Sequence, residues 1–509
     1  MAAVSADDMA RTVNQVLNRW PTAGMAVAVV RDGSPAWFHR HGVADATSGT
    51  PVTEDTVFPI DSVTKTMTAI AVMQLWERGL VDLDAPAEEY LRAFPLVRAK
   101  PGFRKPTLRH LLTHTAGVRA VRTAADLLRP TLAWGVPAGR PVPSPAEYYG
   151  RGLRVDFDPG SRWAYSNHGF TALGQVVEDV SGTPYDRYLR ERVFEPLRME
   201  HTDLHRSARV RPGLATGYVV RRRGLVPVTD YEVVTAGGGA VYSTAGDMAR
   251  YVEALLGGGT NRHGTVLKPE TLATMFEAHH RSDPRVPGMG LGFFREDVGG
   301  HRVVAHDGIW TGFHASMVLA PDDGVGAVAL ANTGAFNPVA MTTPTVDALL
   351  RLLLDVDDSQ VAGDAPERPW TWDGLCGWYS LGPGVLADPQ PRMLGPGAEV
   401  VVRRGHLMLR GLVPVPAVRR GVRLHPDGDD GDVFFIDLSG IGAGATKVVF
   451  SRRADGTVAA LHFALQPVSL QKRPHAPNPR VWVDRAALVT GAAGAAGAAA
   501  VAVRRRRHR

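Results

Sequence analysis

The segment Asp61-Ser62-Val63-Thr64-Lys65 sets a serine hydroxyl and a lysine amine three residues apart, a spacing that places both on one face of a helix about one turn apart. A hydroxyl is a poor nucleophile until a base takes its proton. A lysine amine serves as that base when burial or neighbouring charges lower its pKa. The chain has six lysines against 51 arginines. Because arginine stays protonated, a lysine here answers a chemical need better than a general need for charge. The spacing alone is weak, since a lysine on an ordinary helix reads the same way. It recurs at Ser469-Leu470-Gln471-Lys472, in a β-like stretch just before Pro474 with no helix to organise it.

Two further groupings give Ser62 and Lys65 a context. In Trp163-Ala164-Tyr165-Ser166-Asn167, a phenol and an amide two residues apart share a side if the backbone is extended. A tyrosine whose pKa is lowered by a lysine ammonium would relay the serine proton, and the Asn167 amide would orient a substrate. In His306-Asp307-Gly308-Ile309, read as the end of a strand over residues 301–306, the small Gly308 would let a carbonyl approach the N–H of Ile309. With the N–H of Ser62 this makes an oxyanion hole, in which one donor contributes about 2.7–4 kcal/mol to the transition state. Taken singly, each has an ordinary reading as a core aromatic beside a turn asparagine, or a strand-ending histidine beside a turn glycine.

The surrounding pattern supplies elements to hold these groups. Residues 62–79 predict a helix with Val63, Met67, Ile70, Ala71 and Leu75 on one side and no Gly or Pro up to Arg78. The chain opens with an amphipathic helix over 4–20 and strands over 25–31 and 36–40, joined by the turn Asp32-Gly33-Ser34. Helices follow near 108–112, 170–180 and 245–256, then strands at 289–294, 301–306, 314–320 and 326–331 and a helix over 338–354. Strands at both ends with helices between predict an α/β (α+β) fold, an antiparallel sheet flanked by helices with a mostly helical insertion. Residues 1–355 form this domain and 356–369, rich in Asp and Pro, a linker. Residues 370–482 read as a small all-β module, and 483–509 as an Ala/Gly-rich tail ending in arginines.

Composition narrows the function classes. A hydrophobic share of 44% and a charged share of 21% are ordinary for a globular chain. The lone Cys376 excludes an internal disulfide framework and a cysteine-based zinc site. Arg504, Arg505, Arg506, Arg507 and Arg509 supply five of the net +6, so the folded body is nearly neutral and nucleic acid is not an expected partner. His201 and His205 have helical metal spacing in a loop-like stretch without further ligands, and no metal or cofactor is expected. The amino terminus carries Asp7 and Asp8 and no secretory apolar run, which reads as cytoplasmic. The uncharged run 486–503 before the arginines gives the alternative of a membrane anchor. Oligomeric state is open.

The three groupings, in this order, resemble the serine β-lactamase and penicillin-binding-protein superfamily, specifically the branch of class C β-lactamases, D,D-peptidases and esterases. Further similar stretches are His110-Leu111-Leu112-Thr113-His114-Thr115-Ala116-Gly117, Gly237-Gly238-Gly239 leading to Ser243-Thr244-Ala245, and Gly288-Met289-Gly290-Leu291-Gly292. The resemblance covers residues 10–355. It implies a catalytic cleft between sheet and helical region, Ser62 as acylated nucleophile, Lys65 and Tyr165 sharing base and acid duties, and Asn167 and His306 lining the substrate cleft. Where β-lactamases carry a lysine in the third grouping this chain has His306, followed by Asp307. A mostly neutral imidazole, with a carboxylate placed to repel anions, favours ester, amide or peptide substrates without an obligatory carboxylate. Alternatives are β-lactam hydrolysis, D-alanyl-D-alanine carboxypeptidase activity, or a binding protein that uses the cleft without turnover. Residues 370–480, opening Leu375-Cys376-Gly377-Trp378-Tyr379, resemble the small lipocalin-like modules appended to this family.

Overall fold

The computed structural model describes residues 4–129, 131–221, 224–334, 342–356, 367–381, 397–412, 415–442, 444–473 and 478–479. Most of the expected linker, and the tail with its candidate anchor, lie outside these residues. Among the described residues no helix is long and apolar enough to cross a membrane.

Seven strands form one antiparallel sheet: β1 (Gly24–Arg31), β2 (Ser34–Asp45), β3 (Thr50–Pro51), β4 (Phe294–Val298), β5 (His301–Trp310), β6 (Phe313–Ala320) and β7 (Val325–Ala331), in the order β4-β5-β6-β7-β1-β2-β3. The two ends of the domain meet where β1 pairs with β7, from Met25 opposite Ala331 to Arg31 opposite Val325. Strand alternation explains why β1 is apolar from Met25 to Val30. Ala26, Ala28 and Val30 face one core, whereas Met25, Val27 and Val29 face another, so no polar side is left to show. The second core is closed by α1 (Ala6–Arg19) and the carboxy-terminal helix Thr342–Leu354, through Met9, Val13, Leu17, Val346, Leu349 and Leu350. α1 starts with a capping box in which Ser5 and Asp8 satisfy each other's backbone N–H groups.

The other face is covered by the helix Ala245–Leu256, and behind it, joined by the Tyr251 hydroxyl donating to Thr66 at 2.9 Å, lies the helix that follows Ser62. Asp61–Val63 form a 3₁₀ turn and Thr64–Glu77 continue as α2. The expected one-sided apolar stripe is a helix buried on all sides from Thr64 to Met73, because other helices, Asn167–Ser181 and Ala245–Leu256 among them, pack around it. Its threonines hide this in the sequence. Their hydroxyls bond inside the protein, Thr66 to the Val63 carbonyl and Thr68 to the Gly237 carbonyl, so they tolerate burial.

The expected strand at 289–294 is a loop leading into β4, and β5 does not stop at His306 but continues to Trp310. Strand alternation along β5 turns Asp307 away from the cleft side that His306 faces. Its carboxylate accepts from the Thr343 hydroxyl at 3.4 Å on the face covered by the carboxy-terminal helix. The expectation that Asp307 repels substrate anions is therefore corrected.

Eight further strands, from Gly377–Ser380 to Ser469–Lys472, close into an antiparallel barrel. Arg285 ties the barrel to the first domain by donating to Asp430 at 2.9 Å and to the Phe450 carbonyl at 2.8 Å. An apolar cluster reaches from barrel residues Trp372, Leu375 and Tyr379 to Phe294, Met289 and Trp163, so barrel packing continues to the segment that carries Tyr165. The second Ser-x-x-K copy is a barrel strand, as expected. Ser469 Oγ lies 2.8 Å from His462 Nδ1, and Lys472 Nζ donates to the Gly374 carbonyl.

Candidate active site

The 3₁₀ turn 61–63 puts Ser62 at the entry to α2, and one turn on Lys65 Nζ lies 2.9 Å from Ser62 Oγ. Lys65 also donates to Asn167 Oδ1 at 2.6 Å and to the Gly238 carbonyl. Lys65 has 0% exposure, whereas Ser62 and Asn167 keep 7% each, so the lysine is sealed behind residues that retain a small exposure. Burial pushes the Lys65 pKa down, and the Asp61 carboxylate opposes that shift. An amine held this way has lone-pair character near neutrality and faces the hydroxyl it would deprotonate.

Tyr165 and Asn167 reach this point by different means. Ser166 is extended and caps the helix Asn167–Ser181 by accepting from the Gly169 N–H, which makes Asn167 the first helical residue. Lys65 Nζ sits 4.8 Å from the centre of the Tyr165 ring. The phenol's pKa is not lowered as expected. Burial raises it, and the nearby Asp61 and Asp307 charges act in the same direction, while a hydrogen bond to Ser62 offsets only part of this. Tyr165 therefore stays protonated as a hydrogen-bond donor, which leaves Lys65 as the group able to take the serine proton.

His306 is 1% exposed, on the cleft side of β5. Its Nδ1 is 2.8 Å from the Asp307 carbonyl oxygen, and burial with the Lys65 charge pushes it down to about 3, so it is neutral. Its ring packs against Phe294 at 5.2 Å. Ile309, by contrast, is 44% exposed at the cleft edge.

Gly308 has a second reason to be small. A Cβ on it would stand 2.1 Å from the Ile60 carbonyl oxygen and 3.2 Å from the Ser62 nitrogen, so β5 and the nucleophile turn touch backbone to backbone. Gly308→Ala is expected to lower stability by about 1–3 kcal/mol in urea unfolding and to slow covalent labelling of Ser62, because the turn must move.

Three contributions had no role assigned from the sequence, although two of them lie in stretches that carried the resemblance. Gly237-Gly238-Gly239 form a turn against α2 and the Asn167 helix. Added Cβ atoms would meet the Phe170 carbonyl oxygen at 2.3 Å, the Asn167 carbonyl oxygen at 2.9 Å and Asp61 Oδ1 at 2.5 Å, respectively. His114, at φ 56°, accepts from the Ser166 N–H at 3.2 Å and packs its tilted ring on Tyr165 at 4.3 Å, which holds the tyrosine segment in place. Asp61, at φ 41°, has its carboxylate between Ser62 and β5, accepting from the Ile309 N–H at 3.0 Å and from the Ser62 hydroxyl at 3.3 Å. The repeated glycines signalled only the resemblance, not these contacts, and the acid beside the serine signalled neither. Among the described residues no group of three His, Cys, Asp or Glu side chains could hold a metal. His205 instead pairs with Asp186 at 3.5 Å.

The beta-lactamase family profile matches residues 9–352. The chain is 26% identical to a beta-lactamase of Yersinia enterocolitica over 357 residues, 64% of this chain and 87% of that protein. It is 29% identical to the esterase EstB of Burkholderia gladioli over 318 residues, 55% of this chain and 76% of that protein. Its fold is similar to that of the octameric penicillin-binding protein homologue from Pyrococcus abyssi, with a TM-score of 0.59 and 21% identity over 92% of this chain and 99% of that one. A family match over more than half the chain, joined to a serine–lysine pair on a buried helix, shows that the chain belongs to the beta-lactamase family of serine hydrolases.

Proposed function

We propose that the protein hydrolyses an ester, amide or peptide bond through an acyl-enzyme on Ser62. The observation that carries this reading is the sealed Lys65 amine 2.9 Å from Ser62 Oγ, held by Asn167 and Gly238 with its pKa lowered by burial. Lys65 takes the serine proton as Oγ attacks the carbonyl carbon, and the carbonyl π pair moves onto oxygen. On collapse the leaving group departs with a proton supplied through Lys65 and the Tyr165 hydroxyl. Water, deprotonated in turn by Lys65, then releases the acid and restores Ser62.

The substrate reading rests on His306. Buried and neutral, it offers no cation to the carboxylate of a β-lactam or a peptide terminus, which favours acyl donors without one. EstB, an esterase by name, fits this direction.

Rapid-mixing kinetics with p-nitrophenyl acetate, a D-alanyl p-nitroanilide and nitrocefin test it. The expected outcome is a burst of about one product per chain followed by steady turnover on the ester or the anilide, faster than on nitrocefin. A single stoichiometric release with no steady phase supports the binding-protein reading, and fastest turnover on nitrocefin overturns the substrate assignment.

A further inference from the structure

One of the two backbone donors expected to form the oxyanion hole, the N–H of Ile309, is already engaged. It donates to Asp61 Oδ2 at 3.0 Å, and the Ser62 hydroxyl lies 3.3 Å from the same oxygen. A carboxylate oxygen is a close mimic of the oxyanion that these donors would meet in the transition state. The structure also makes room for it. Gly239 lacks the Cβ that would stand 2.5 Å from Asp61 Oδ1, and Asp61 takes a left-handed conformation that aspartate tolerates better than most residues. The side chain is 8% exposed, so it is seated between the turn and β5 rather than in solvent.

We propose that Asp61 is the resting occupant of the oxyanion hole, a negative charge that must vacate or be neutralised before a substrate carbonyl is polarised, and that it thereby sets the rate and the pH range of acylation. This rests on Ser62 being the nucleophile.

The groups facing Asp61 fix the sign. From α2 it meets Lys65, from the segment before the Asn167 helix it meets the Tyr165 phenol, from the glycine turn it meets only backbone, and from β5 it meets the Ile309 N–H while His306 stays neutral. Burial raises the Asp61 pKa and Lys65 lowers it. While ionised, Asp61 holds the hole and keeps Lys65 charged. Once protonated, it does neither. A neutral replacement therefore helps most where wild-type Asp61 is ionised, and helps little in acid, where wild type resembles it.

The experiment is the second-order rate of fluorophosphonate labelling of the full chain, followed by intact mass from about pH 5 to about pH 8. It compares wild type, Asp61→Asn, Asp61→Gly and Ser62→Ala. Asn and Gly are the residues best suited to the left-handed backbone at this position, and thermal midpoints are measured for each. Expected is a variant-to-wild-type rate ratio near one at about pH 5 that rises to about tenfold or more at about pH 8, since one oxyanion donor accounts for about 10²–10³ in rate. A ratio independent of pH, or variants slower than wild type at about pH 8 with unchanged midpoints, overturns the proposal. If Ser62→Ala labels like wild type, the nucleophile assignment itself fails, which is a distinguishable result.

Discussion

Ser62→Ala is expected to abolish covalent labelling by a fluorophosphonate and to lower turnover on the order of 10⁴–10⁶, the range seen when a nucleophile acting in concert with its base is removed. Intact mass reads the first effect directly, as one adduct per chain on wild type and none on the variant. The substitution removes only a hydroxyl from a site that is 7% exposed, so folding is expected to be unchanged. A control is needed because the chain contains another serine with a base-like neighbour. Ser469 in the barrel lies 2.8 Å from His462 Nδ1 and begins the second Ser-x-x-K copy. His462 Nε2 is itself 2.9 Å from Ser451 Oγ, and Lys472 is bonded to the Gly374 carbonyl, so this group is tied into barrel structure and no amine faces the Ser469 hydroxyl. Ser469→Ala is expected to label like wild type. Adducts retained on Ser62→Ala and lost on Ser469→Ala would move the nucleophile to the barrel.

What the sequence made legible depended on whether a residue's task is local. The spacing of Ser62 and Lys65 is a property of one helix, and the helix Ala245–Leu256 has the predicted bounds because Thr244 caps it and Gly257 follows it. The pairing of β1 with β7 was foreseen only as a condition, that the two ends must meet, since period-two alternation says which residues share a face but not which strand lies beside them. Asp307 was misplaced because β5 was taken to end one residue before it, and a strand that continues sends the next side chain to the opposite face. The burial of the α2 threonines was not legible because a hydroxyl that bonds its own helix looks the same in sequence as one that faces water. Tyr165 was given the wrong direction of pKa shift for a related reason. Its nearness to Lys65 was read from the sequence, but the desolvation of its phenol, which outweighs that charge, depends on the segments packed around it. The contact between Asp61 and Ile309 joins residues 248 positions apart, and no local pattern encodes it.

Lys65→Arg is expected to lower acylation about 10²–10⁴-fold, the usual range for loss of a general base. It is also expected to remove the acid limb of the pH–rate profile. The two side chains carry the same charge, so a purely electrostatic role for Lys65, such as neutralising Asp61, would survive the exchange in part. A guanidinium cannot release its proton in the accessible range, so a base role would not. In wild type the limb should lie in the neutral range rather than near the ~10.4 of a free lysine, because the amine is desolvated within the protein. The sign follows from the direction of the shift. Below its lowered pKa Lys65 is protonated and inactive as a base, and above it the neutral amine faces Ser62 Oγ. Steric cost is separable, since the site has 0% exposure and arginine is larger. Lys65→Met, close in volume and uncharged, reports how much of the loss is packing, and it should be as slow as Lys65→Arg if proton transfer is what both have lost. A Lys65→Arg enzyme that keeps a neutral-range limb would assign that limb to another group. Asp61 would be the first to examine, since its titration is linked to that of Lys65 through the same buried pair. The double variant with Asp61→Asn settles that assignment, because it leaves neither member of the pair able to titrate.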